Sequence, residues 1–149
     1  MSVRLSGPPP GVRGSQVDTA LLKTRARDTL RVIGHARAEL SLSLIDDDEM
    51  RELNRHYRSK DRSTDVLSFS LFEGEGAEFR GGLLGDVVIG IETAARQAAA
   101  RHRALDEEVM RLLVHGVLHL IGHDHERDEE AARMLAEERR VLRCLREAT

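Results

Sequence analysis

His115, His119 and His125 are the residues whose type and spacing can do chemistry in this chain. His115 and His119 are four apart, so on a helix their imidazoles stand one above the other on a single face. Leu112, Leu113, Val114, Val117, Leu118, Leu120 and Ile121 surround them, an apolar pattern that describes a helix buried nearly all round. Gly122 falls where a helix end favours a left-handed residue, so the chain can turn back there. His125 follows three residues later, about 10 Å of extended chain at most, and its ring can return to the first two. Three neutral imidazoles converging on one point suit a borderline divalent metal, zinc first, with a fourth position left for water. A lone histidine on an apolar helix is more often a core residue, but three at these spacings around a turning glycine favour ligation. His123 lies in the same turn and competes for the third place. His125 is preferred, because His123 directly follows Gly122 and has less chain with which to come round.

The spacing His115, His119, Gly122, His125 is also that of metzincin proteases, which carry a glutamate immediately after the first histidine as general base. Gly116 occupies that position here and has no side chain with which to abstract a proton. A bound metal would still polarise a substrate oxygen or lower the pKa of its water. Any base must come from elsewhere, so proteolysis by the usual route is not expected.

Such a site needs a scaffold, and 149 residues are enough for one domain with a sizeable core. Residues 1–149 are read as a single domain, with 1–14 a loosely ordered segment after a short strand. Hydrophobic residues at 40% and charged residues at 33% describe a globular protein, neither disordered nor membrane-embedded. The net charge of −3 announces no nucleic-acid binder, although a local basic cleft would suffice. Cys144 is the only cysteine, which rules out an internal disulfide and fits a reducing compartment. The start of the chain lacks an apolar signal core and no window approaches a membrane span, so a cytoplasmic protein without membrane contact is expected.

Val3 and Leu5 alternate with polar residues as a short first strand, and Ser6 to Gly14 holds all three prolines, as a connector would. Leu22, Ala26, Leu30 and Ile33 fall at helical spacing, closed by Gly34. Leu40, Leu42 and Leu44 alternate as a strand, and Asp46 caps a helix that buries Met50, Leu53 and Tyr57. Leu67, Phe69 and Leu71 alternate with Ser68 and Ser70, Glu73 to Gly82 reads as a loop, and Leu83 to Ile89 as a further strand. Gly90 to Arg103 is an Ala-rich helix. Asp106 is expected to cap the histidine helix, with Leu105 and Met110 as a hydrophobic staple. A last helix from about Asp128 carries Met134, Leu135, Val141, Leu142 and Leu145 inward. The fold class is α+β: a small mixed, mostly parallel sheet packed with about five helices around a buried central metal-binding helix.

A second constellation runs from Asn54 to Phe69. Arg55, Arg58, Lys60 and Arg62 form a local basic stretch ahead of a strand whose serines and backbone could face an extended substrate. A solvated loop with a few charges accounts for these residues equally well.

Taken together, Leu53-Asn54, Tyr57-Arg58, Asp61, Thr64 to Phe69, Leu84 to Ile89 and His115 to His125 closely resemble the YbeY family of bacterial metal-dependent endoribonucleases. The resemblance covers most of the chain from about Leu40 onward. It implies helices around a small mixed sheet, one Zn2+ per chain (another divalent metal fits the same donors) on His115, His119 and His125, and a channel beside the metal. It further implies that Arg58 contacts substrate phosphate, so Arg58 and His115 are the catalytic candidates. The implied task is cleavage of single-stranded RNA, chiefly in maturing the 3′ end of small-subunit rRNA and in ribosome quality control. The partners would be rRNA, the ribosomal subunit and assembly proteins, with no DNA and no membrane. Two positions depart from the family pattern: His123 stands where tyrosine is usual and Ser70 where proline is common. The first places an extra ligand or proton-transfer group near the metal, and the second is expected to loosen the exit of the Leu67–Phe69 strand. A metal hydrolase of another substrate and a non-catalytic, metal-stabilised ribosome assembly factor are the competing functions. Tests on peptides and esters beside RNA separate the former, and ribosome binding that survives loss of the ligands separates the latter.

Overall fold

Four strands and five helices account for the regular structure among the described residues, which are 2–58, 64–70, 82–123 and 127–148 of a computed structural model. In chain order they are β1 (Ser2–Ser6), α1 (Thr19–Val32), β2 (Glu39–Ile45), α2 (Asp47–Arg58), β3 (Val66–Ser70), β4 (Leu83–Gly90), α3 (Ile91–Ala100), α4 (Leu105–Leu120) and α5 (Asp128–Ala148). The order of strands and helices is the one expected from periodicity. The sheet runs β1-β2-β4-β3, parallel across the first three and antiparallel where β3 meets β4. It is therefore mixed and mostly parallel, and the class is α+β as expected.

Period-two patterning explains the sheet. Leu40, Leu42 and Leu44 of β2 and Val87 and Ile89 of β4 point one way, into a core closed by Leu22, Ala26 and Leu30 of α1 and by α4. The opposite face carries a smaller cluster of Ile45, Met50, Leu67 and Val88, covered by α2.

Helix α4 sits between two apolar bodies. Val109, Leu112, Leu113, Val117 and Leu120 face the sheet, whereas Met110, Val114 and Leu118 meet Met134, Val141, Leu142 and Leu145 of α5. What remains outside is a strip holding Arg111, His115 and His119, each only partly buried and one turn apart. From Glu108 onward the central helix is buried except along the one strip that carries the histidines.

Several local expectations need correction. The first turn of α4 is not capped by Asp106: the cap position is Ala104, without a side-chain bond, and Asp106 Oδ1 accepts from the Asp18 backbone N–H at 2.9 Å. Asp106 thus ties the start of α1 to the start of α4, and Leu105, already inside the helix, is not placed for a staple. Charge at this end is managed by Glu108, buried and held by Arg101 at 3.2 Å and Arg103 at 3.0 Å. Helix α3 ends at Ala100, before Arg103, and His102 at φ 54° reverses the chain into α4. Tyr57 and Leu135, both expected inside, are 65% and 46% exposed. Tyr57 lies at the open end of α2 and meets Phe69 edge-on with centroids 5.3 Å apart, and Leu135 sits beside the buried stripe of α5. Asp46 does cap α2, accepting from Glu49 N–H at 2.9 Å. After the connector that follows β1, turn bonds Ser15 N–H to Val12 O and Val17 N–H to Gly14 O lead into a buried Val17.

Candidate metal centre

The exposed strip of α4 brings two expected ligands together. The Nε2 atoms of His115 and His119 lie 3.2 Å apart, with ring centroids at 4.7 Å and planes inclined by 71°. Two nitrogens bound to one tetrahedral zinc at 2.0–2.1 Å stand about 3.3 Å apart, so the donor pair fits that ion. The helix fixes this spacing, because both rings project from one rigid face whose flanks are buried in opposite cores.

Glu138 sets the chemistry of the first ring. Its Oε1 accepts a hydrogen bond from His115 Nδ1 at 2.5 Å. A carboxylate can only accept, so Nδ1 carries a proton, and in the neutral ring Nε2 keeps its lone pair for a metal. Such an outer partner fixes tautomer and ring orientation together. Sequence reading missed Glu138, which arrives from α5, 23 positions further along the chain. The available signal was an acid between Met134, Val141 and Leu145, on the stripe that α5 buries.

Gly116, the residue without a general base, has a packing role. A Cβ there would meet Val87 Cγ1 at 2.8 Å and both Ser68 Oγ and Val66 Cγ2 at 3.2 Å. Its absence lets β3 lie directly on α4. Ser68 Oγ donates to the Gly116 carbonyl at 2.9 Å and Ser70 Oγ to the Leu120 carbonyl at 3.1 Å. The polar face of β3 is thus turned onto the histidine helix. Ser70, expected to loosen the strand, fastens its end to the last turn of α4 through a hydroxyl that proline lacks.

The turn after α4 begins as expected, with Gly122 at φ 102°. His123 N–H bonds the Leu118 carbonyl at 3.0 Å. The His123 side chain shares a depression with Gly122, Glu130 and Arg133. It also faces Glu137, whose carboxyl is held below its usual range mainly by the hydrogen bond from Arg140, with the His123 charge contributing least. Among the described residues no three histidine, cysteine or acidic side chains form a metal-holding group. His125, Lys60 and Arg62 lie outside the described residues, as does the side chain of Arg58, whose backbone ends α2. Arg55, from the same basic stretch, pairs with Glu52. No described helix is long and apolar enough to cross a membrane.

Residues 14–146 match the family model described as Endoribonuclease YbeY. A protein of that name from Anaeromyxobacter sp. (strain Fw109-5) is 48% identical over 144 residues, covering 97% of this chain and 72% of the relative. The Endoribonuclease YbeY of Aquifex aeolicus (strain VF5) is 50% identical over 109 residues, 72% of this chain and 70% of its own. In fold, the solution structure of TM1509 from Thermotoga maritima is similar with a TM-score of 0.65 at 23% identity, over 96% of this chain and 88% of that one.

Proposed function

The chain belongs to the endoribonuclease YbeY family, and from that premise we propose that it is a metal-dependent endoribonuclease cutting single-stranded RNA in ribosomal RNA maturation. The observation that carries this reading is the pair of Nε2 atoms at 3.2 Å, one of them oriented by Glu138. His115, His119 and His125 would hold the ion, and the all-imidazole donor set favours zinc. When bound, such an ion supplies Lewis acidity toward a phosphate oxygen and lowers the pKa of a coordinated water.

The chain's own residues do the rest. Glu138 keeps His115 in the tautomer that leaves Nε2 free, and the buried flanks of α4 hold both rings at fixed spacing. In this reading Arg58, at the end of α2, donates to phosphate oxygens and stabilises the charge that develops on them. Gly116 offers no base, so the proton leaves through water or another group. The substrate is the 3′ region of small-subunit rRNA, met on the ribosomal subunit with its assembly proteins in the cytoplasm.

Metal analysis of variants tests this. The purified protein should carry about one divalent metal per chain. His119→Ala should lose it together with RNA cleavage, while His35→Ala keeps both. Stoichiometric metal in folded His119→Ala would remove the site.

A further inference from the structure

A groove of about 680 Å³ opens between α4 and α5, next to the histidine strip. Arg111 of α4 lines one side, one turn before His115 on the same helix face. Arg139, Arg143 and Arg146 line the other, from α5, over a floor that includes Leu135 and Leu142. Glu138, the carboxylate on His115, belongs to the lining of the same groove and links the two features.

Its charge is uneven for a chain whose net charge is −3. Arg146 is neutralised by Glu107, Glu138 is engaged with His115, and Glu147 is the other acid in the lining. Arg111, Arg139 and Arg143 make no ion pair among the described residues. Arg139 and Arg143 stand one turn apart, about 6 Å along the helix, comparable with the step between phosphates of an extended strand. Their planar forks suit phosphate oxygens, and the exposed Leu135 offers apolar surface to a sugar or base. An acidic protein segment would meet the same charges, but a groove beginning at the proposed cleavage centre is where the substrate strand must pass.

We propose that the α4–α5 groove is an RNA-binding track, holding the strand on one side of the scissile bond, with Arg111, Arg139 and Arg143 on its phosphates. This rests on the ribonuclease reading above. It assigns binding to a surface that neither the histidines nor the basic stretch around Arg58 occupies.

The test uses the metal-loaded full chain and unpaired RNAs of four and of twelve nucleotides. For the longer strand, Arg139→Ala/Arg143→Ala should raise KM roughly tenfold, with the loss falling on KM more than on kcat. The slope of log(kcat/KM) against log salt should flatten by about 1.4, two phosphates at about 0.7 each. The tetranucleotide, too short to fill the track, should show a much smaller change. Arg139→Lys/Arg143→Lys should restore most of the salt slope by returning the charge. Both alanine positions are exposed, and circular dichroism with metal content checks that fold and ion are kept. Wild-type KM and salt slope in the alanine variant, whether the groove then serves an acidic protein or nothing, would overturn the proposal while leaving the ribonuclease reading intact. Failure of the wild type itself to cut either RNA would remove that reading, and the track with it.

Discussion

His115 is held from two sides, by the buried flanks of α4 and by Glu138, and only the first of these is visible along one helix. Glu138→Ala should weaken metal affinity by about 10–100-fold, as loss of an outer partner does. A competition titration against a chromophoric chelator reads this directly, and Glu138→Gln, which can still accept through its carbonyl, should fall between. Affinity unchanged in both would make the 2.5 Å contact a packing detail. Arg58→Ala should cut RNA cleavage by two or more orders of magnitude with metal content unchanged, because charge stabilised in the transition state is what it would remove. Wild-type cleavage by that variant would leave Arg58 a solvated charge at the end of α2. The histidine pair was legible because a four-residue spacing on a helix is local information. Glu138 was not, since the fold-back of α5 onto α4 cannot be read from any short window.

The pairing of β3 with α4 is the element-scale feature that shapes the site. Alternation alone marks Ser68 and Ser70 as the polar face of a strand, and polar faces are usually solvated. Here both hydroxyls meet helix carbonyls, and Gly116 supplies the space. Gly116→Ala should therefore destabilise the fold by up to about 2 kcal/mol, since overpacking costs about 1–3 kcal/mol and alanine returns about 1 in helix propensity. Urea denaturation measures it; a stabilised variant would show that β3 and α4 have slack between them. The sequence made the order and type of the elements plain because each carries its own period. Side-by-side choices failed where two elements compete: Leu135 sits beside the buried stripe of α5, Tyr57 at the open end of α2, and Asp106 ties α4 to the start of α1 because Asp18 is its neighbour only in space.

At the scale of the molecule, one helix is both the centre of the core and the carrier of the site. Its flanks fill two apolar clusters, so the backbone that carries His115 and His119 cannot shift without disturbing the packing on either side. Rigidity comes from the core, and one exposed strip carries the two candidate ligands. The same fold recurs in TM1509 at 23% identity, which fits a scaffold set by layer packing and tolerant of side-chain change. Only one Tyr and three Phe occur, so base-stacking platforms are scarce and recognition should rest on phosphates with little sequence bias. The measurement closest to the central claim is cleavage of one unpaired RNA and its perfect duplex by protein stripped with chelator and then given one equivalent of zinc. The account predicts that stripping abolishes cutting, that zinc restores it, and that only the unpaired strand is cut. Undiminished cleavage by the stripped protein, or equal cutting of the duplex, would contradict it.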